Sequence, residues 1–289
     1  MQLRRYFQRI GYNGECHPTL AVLEALQATH VCAVPFENID VQLGRPVTTA
    51  VESAYEKIVC NGRGGWCYEQ NGLFGWALSE IGFRVTRLAA SVMRQERGAV
   101  ANANHLCLLV SCPGLEAEFL VDVGFGGSMI APVELRESEH WQPPFRIGLR
   151  KVPDFGWRFW EDIGKGEFSY DFAVQAADEA ALTEKSTFLQ TDPASNFVLN
   201  LVTQLRLPQQ HRTLRGRVLS IASPDGIESR TIESADELVA VLASHFSLHL
   251  PEVADLWPKI TVRHDELFRE NDSGDTYDIR ACSHNQPLS

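Results

Sequence analysis

A membrane-spanning helix needs roughly 18 consecutive apolar residues, and no stretch of this sequence approaches that length. Basic residues are also in the minority. Against 37 Asp and Glu stand 26 Lys and Arg, giving a formal net charge of −11, and no Lys/Arg block exceeds a few residues. Nucleic acids and anionic membranes bind through basic patches, so neither is an expected partner. Met1-Gln2-Leu3-Arg4-Arg5-Tyr6 lacks the apolar core of a signal peptide. Cysteine is sparse: there are seven, an odd number without regular spacing, which does not read as a disulfide framework. A reducing, cytoplasmic location and free thiols are the expectation. Metal ligands are missing too. Cys60 and Cys67 are too far apart for a zinc knuckle, and no second Cys/His pair follows Cys107 and Cys112, so no metal is expected.

What is present is an ordinary globular chain, 44% hydrophobic and 289 residues long, enough for two or three domains. Residues 1–85 read as mostly helical, with helices at Thr19–His30 and about Glu52–Val59 around loops marked by Pro35 and Pro46. From about Arg84 to Ala173 short alternating runs such as Trp157-Arg158-Phe159-Trp160 indicate an antiparallel β block. Residues 174–289 mix the two. Helices are expected at Ser195–Gln204 and Ser234–His245, and a strand at Arg215–Ile221 before the turn Pro224-Asp225-Gly226. The tail after Asn271 is polar and reads as frayed. The division predicted is a helical domain over 1–85, a barrel-like antiparallel domain over 86–185 and an α/β lid over 186–289.

One segment carries chemistry. Arg63-Gly64-Gly65-Trp66-Cys67 leads into an apolar helical period of Leu73, Phe74, Ala77, Leu78 and Ile81, so Cys67 opens a helix running to about Ile81. A thiol there meets unpaired backbone N–H groups and the positive end of the helix dipole, and both favour the thiolate. A buried structural cysteine fits the same segment equally well.

A second segment weighs between those readings. His105–Val110 and Phe119–Val123 are β-prone runs flanking the turn signal Cys112-Pro113-Gly114. A hairpin centred on Pro113 and Gly114 sets His105 directly opposite Asp122 on one face. A carboxylate beside an imidazole fixes its tautomer and leaves the other ring nitrogen for a thiol. A one-residue slip would put the two on opposite faces. Helix-capped Cys67 and the pair of His105 with Asp122 together make a Cys-His-Asp triad. Gly124-Phe125-Gly126-Gly127-Ser128 completes neither a Walker nor a dinucleotide motif and reads as a glycine turn leaving a strand.

With these residues in place the chain resembles the arylamine N-acetyltransferases. The matching stretches are Tyr6-Phe7-Gln8-Arg9-Ile10-Gly11-Tyr12, Val34–Val41, Arg63–Phe74 and Val121–Gly127, in the family's order. The resemblance is strong over about residues 1–135 and looser beyond. It implies an α+β, papain-like architecture, with Cys67 as acyl-thioester nucleophile, His105 as base and Asp122 as orienting acid. It further implies Phe36 and Phe125 at the acceptor, and Asn104, Gly126 and Gly127 at the acyl donor. Ala103-Asn104 stand where Arg-Thr is common. Glu37 and Arg63 become a partly buried pair pinning the loop beside Cys67.

The activity implied is ping-pong acetyl transfer from acetyl-coenzyme A to aromatic amines, hydroxylamines or hydrazines, as in xenobiotic metabolism, with no permanently bound cofactor. An amide synthase or papain-like hydrolase would use the same triad. A non-catalytic binding protein would retain the fold without using Cys67.

Overall fold

A computed structural model describes residues 1–126 and 129–269. Helices α1 (Leu3–Ile10), α2 (Leu20–Ala33), α3 (Ile39–Gln42), α4 (Val51–Tyr55) and α5 (Cys67–Ile81) make the first part of the chain helical, interrupted by the two-residue strand β1 (Phe36–Glu37). Thr19 caps α2, its hydroxyl accepting from the Val22 N–H. A π-helical turn, Glu56–Cys60, continues α4, so the expected second helix is present with a widened end. Gly82, at φ 105°, ends α5 in left-handed backbone that suits glycine. The predicted apolar positions of α5 are buried and pack with α1, α2 and the later residues Leu108 and Val110 in one core.

Eight antiparallel strands follow: β2 (Arg84–Val92), β3 (His105–Ser111), β4 (Glu118–Val121), β5 (Val133–Glu134), β6 (Ser138–Gln142), β7 (Phe145–Val152), β8 (Gly156–Asp162) and β9 (Phe168–Phe172). The short helix α6 (Arg94–Arg97) lies between β2 and β3. The strand order is β5-β4-β3-β2-β9-β8-β7-β6, a curled antiparallel sheet rather than a closed barrel, because its end strands β5 and β6 are not paired with each other among the described residues. β3 is buried along its whole length, with the α5 core on one face and a second core around Phe145, Phe159 and Tyr170 on the other.

After α7 (Glu179–Thr191) and α8 (Asn196–Leu199) comes a second sheet of β10 (Val202–Leu207), β11 (Gln210–Arg215), β12 (Val218–Ser223) and β13 (Gly226–Thr231). Helices α9 (Ala235–Phe246) and α10 (Trp257–Arg269) follow it, and α9 packs on the sheet. β1 joins this sheet at its edge, pairing Phe36 with Gln204 and Glu37 with Thr203.

Two expectations fail here. Ser195–Gln204 is helical only over Asn196–Leu199, and its end is strand β10. The Asn38 carboxamide donates to the carbonyls of Phe197 and Asn200 and accepts from the Val202 N–H, which draws the chain out of the helix and onto β1. Arg215–Ile221 is not one strand but the turn of a hairpin. Gly216, at φ 52°, reverses the chain between β11 and β12. The tail after Asn271 lies outside the described residues.

Candidate active site

Cys67 is the first residue of α5, and Trp66 before it donates its backbone N–H to the Glu69 carboxylate at 3.1 Å. The preceding loop is held by buried charge. Arg63 donates to Glu37 at 2.8 Å and to Asp40 at 3.2 Å, and Lys57 lies 2.9 Å from Asp40 and 3.0 Å from Glu69. Glu37 is fully buried, so the expected pair exists as part of a larger network. Burial pushes the Glu69 carboxyl up to about 7 against the pull of Lys57. Gly64 is forced by packing, since a side chain there would run into the Pro35 carbonyl.

The hairpin between β3 and β4 is real, but its register differs from the expected one. Leu108 pairs with Val121 and Ser111 with Glu118, so Asp122 falls in line with Cys107 rather than with His105. The connection is a six-residue loop, Cys112–Ala117, not a tight turn on Pro113-Gly114. The shift is two residues. An even slip keeps every side chain on its face, so His105 and Asp122 still meet, as diagonal neighbours. His105 Nε2 donates to Asp122 Oδ2 at 2.6 Å.

The other carboxylate oxygen is also committed. Asp122 Oδ1 accepts from Asn71 Nδ2 and from the Gly124 N–H, both at 2.8 Å. Asn71 additionally donates to the Leu106 carbonyl at 2.6 Å and accepts from the Val123 N–H at 3.0 Å, joining α5 to both strands. Asn71 lies one helical turn after Cys67, on the same face. That spacing from Cys67 is the one sequence signal that could have marked it.

Asp122 is 1% exposed, His105 2% and Cys67 4%. Burial alone would lower the imidazole's pKa. The Asp122 carboxylate, with a smaller contribution from a hydrogen bond to the Cys67 side chain, overrides that and raises it to about 10. Nε2 faces Asp122, which leaves Nδ1 for Cys67. Gly124 closes over Cys67. A Cβ on it would lie 2.6 Å from Cys67 Cα, so only glycine lets the segment after Asp122 pack there.

Cys67 and His105 line a cavity of about 670 Å³. One wall is aromatic. Phe125 stacks on Phe168 at 4.9 Å and 9°, and meets His105 at 5.2 Å. Phe36 lines it as well and packs on Phe197. The second sheet adds polar side chains to the lining. Gln204, Thr213 and Ser220 are successive cross-strand partners and all face the cavity.

Gly126 lines the cavity, and its carbonyl accepts from His211 Nε2 at 2.8 Å. Burial lowers the His211 pKa to about 4, so this imidazole is neutral. Asn104 lines the cavity too, but its carboxamide is tied to Val92, accepting from the N–H at 2.7 Å. Gly127 lies outside the described residues. Sequence reasoning gave no role to Asn71, Phe168 or His211. Among the described residues no group of three or more His, Cys, Asp or Glu is placed to hold a metal ion, and no helix is long and apolar enough to cross a membrane.

A cysteine at a helix start, facing an imidazole that is itself bonded to a carboxylate, is the arrangement of groups through which cysteine enzymes do nucleophilic chemistry. The comparisons with known proteins narrow that class. A family model described as N-acetyltransferase matches residues 19–255. The arylamine N-acetyltransferase of Mycolicibacterium smegmatis is 33% identical over 261 residues, 88% of this chain and 94% of the relative. The structure of Mycobacterium marinum arylamine N-acetyltransferase in complex with CoA superimposes with a TM-score of 0.83 at 32% identity, covering 92% of this chain and 99% of the other. That of Salmonella typhimurium gives 0.81 at 26% identity, over 90% and 98%. The chain belongs to the arylamine N-acetyltransferase family and is an acyltransferase.

Proposed function

We propose that the chain transfers acetyl from acetyl-coenzyme A to aromatic amines or hydrazines by a ping-pong route through Cys67. The observation that carries this reading is the 2.6 Å bond from His105 Nε2 to Asp122, which commits one ring nitrogen and directs the other at Cys67. With its pKa at about 10, His105 is an imidazolium at neutral pH and stabilises negative charge on the sulfur. The thiolate attacks the thioester carbonyl, the bond from that carbon to the coenzyme A sulfur breaks, and His105 gives its proton to the departing thiolate. N–H groups of the first turn of α5, which have no intrahelical acceptor, suit the oxyanion; such donors contribute about 3–4 kcal/mol.

The neutral imidazole left behind is then the base for the second half. The amine nitrogen attacks the acetyl-cysteine, its proton passes to His105, and the Cys67 thiolate leaves. The relative solved with CoA supports acetyl-coenzyme A as co-substrate. The aromatic wall of Phe125 and Phe168, with Phe36, suits a planar acceptor.

The blocks 1–85, 86–185 and 186–289 divide the work in this reading, the first supplying the thiol, the second the imidazole and carboxylate. The third acts as a lid: Phe197, Val202, Gln204 and Thr213 complete the cavity and keep water from the acetyl-cysteine. The test is mass spectrometry of the protein mixed with acetyl-coenzyme A without acceptor. One acetyl group should appear on Cys67, and the Cys67→Ser variant should gain none and transfer none. Acetyl transfer at the normal rate by Cys67→Ser would sink the reading.

A further inference from the structure

α5 and β3 are joined at a point the triad itself does not use. Tyr68, the residue after Cys67, is fully buried, and its hydroxyl donates to the carbonyl of Ala103 at 2.8 Å. Ala103 stands two residues before His105 and has φ 56°, left-handed backbone that residues other than glycine avoid. The chain is fixed just beyond it. Asn104 donates its N–H to Ala101 O at 3.1 Å, and its side chain holds the end of β2. The turn at Ala103 therefore decides how His105 enters β3. Tyr68 is itself held, packed edge-on against Trp66 at 5.5 Å and in one apolar cluster with Leu106. Burial first, and then the nearness of Cys67, keep its phenol protonated, so it remains a donor.

We propose that Tyr68 is a positioning residue for the acyl-transfer chemistry. By holding the Ala103 carbonyl it maintains the left-handed turn that aims the His105 ring at the Cys67 sulfur. Because Tyr68 and Cys67 are consecutive in the first turn of α5, the element that carries the nucleophile also sets the approach of its base. This rests on the reading of Cys67 as nucleophile and His105 as its partner.

The experiment measures acetyl-cysteine formation in the full chain by rapid quench over a range of acetyl-coenzyme A concentrations. Cys67→Ser is run beside it; if that variant is acetylated normally, the nucleophile assignment fails and Tyr68 is not at issue. Tyr68→Phe keeps the ring and removes the donor. Its limiting acylation rate should fall about tenfold, the scale of one buried hydrogen bond. Half-saturation should stay within about twofold, because Tyr68 does not line the cavity.

Adding Ala103→Gly lets the backbone hold the turn unaided. The double variant should return to within about threefold of the original rate, by the same strain argument. A packing role alone would not be rescued this way. Acylation by Tyr68→Phe within about twofold of normal, or a loss that Ala103→Gly leaves in place, overturns the proposal. Should Tyr68→Phe not fold, Ala103→Val strains the same turn from the other side, since β-branched residues fit positive φ poorly. It must then slow acylation, and a normal rate there equally refutes the role.

Discussion

Replacing Asp122 by asparagine exchanges one oxygen for an NH2 group, and the hydrogen bonds around the carboxylate dictate the outcome. Oδ1 accepts from Asn71 Nδ2 and the Gly124 N–H, two donors that cannot turn away, so the oxygen of the new carboxamide must take that position. The amide NH2 is then forced towards His105 Nε2. Nε2 can only accept from it, so the ring proton moves to Nδ1, the nitrogen that has to take a proton from the incoming amine. Charge acts in the same direction. It is the carboxylate that holds the His105 pKa at about 10 against burial, and its loss returns the imidazole to its ordinary value or below. At pH 7.5 the imidazolium population would drop about tenfold from that cause alone. The wrong tautomer multiplies the loss, and the corresponding change in a serine triad costs about 10⁴-fold, taken here as an analogy. The assay is the rate of acetyl-cysteine formation, with circular dichroism and thermal melting to establish that the variant is folded. A folded Asp122→Asn variant that loses less than about tenfold in rate would show that the bond between His105 and Asp122 does not serve catalysis.

Other expectations concern packing, charge and the cavity wall. Gly124→Ala places a methyl 2.6 Å from Cys67 Cα, so acylation should fall by at least about tenfold, the scale of a misplaced reacting group; a normal rate would mean that the segment yields freely. Lys57→Met leaves Glu37, Asp40 and Glu69 without their shared cation. Removing one partner from a buried ion network costs about 3–5 kcal/mol, which urea unfolding reads directly, and a change below about 1 kcal/mol would contradict it. His30 is buried between the Tyr6 hydroxyl and Gln70, and burial lowers its pKa to about 3. The unfolded chain binds a proton there below about 6.5 and the folded chain does not, so stability falls as pH drops from 6.5 towards 3. At pH 5 the residue costs about 2 kcal/mol relative to neutral pH. His30→Gln should flatten that part of the pH dependence, and an unchanged slope refutes the assignment. Phe197→Ala opens the wall beside Trp66 and should raise the ratio of thioester hydrolysis to acetyl transfer; an unaltered ratio removes the lid role from that residue.

The start of α5 was legible because its signals are local: two glycines, a cysteine and an apolar period. The meeting of His105 with Asp122 was legible for a subtler reason. The turn lies two residues out of the expected register, yet alternation along a strand forgives even errors and punishes odd ones. Where the sequence misled, a distant residue decides. Asn38 turns the chain after Leu199 from helix to strand, and no local pattern around Ser195–Gln204 announces that. His211 carried no signal either. Its bond to Gly126 and its place on the cavity wall follow from a hairpin reversed at Gly216, inside what read as a single strand. Phe168, on β9, gained its role by stacking on Phe125 in the loop after β4.

β1 is two residues long, but its pairing has a consequence for the order in which the molecule comes into being. Besides a local parallel bridge from Phe36 to Gly65, Phe36 and Glu37 find their sheet partners on β10, and the bond from Val202 to Asn38 closes a loop of 164 positions. During synthesis at about 5–20 residues per second, the segment bearing Phe36 waits on the order of ten seconds or more for the strand that joins it to the second sheet. Helix α5 with Cys67 and the strand bearing His105 are by then long out of the ribosome. The enclosure around the Cys67 thiol needs the second sheet, so a chain cut short in translation before β10 has the thiol without its chamber.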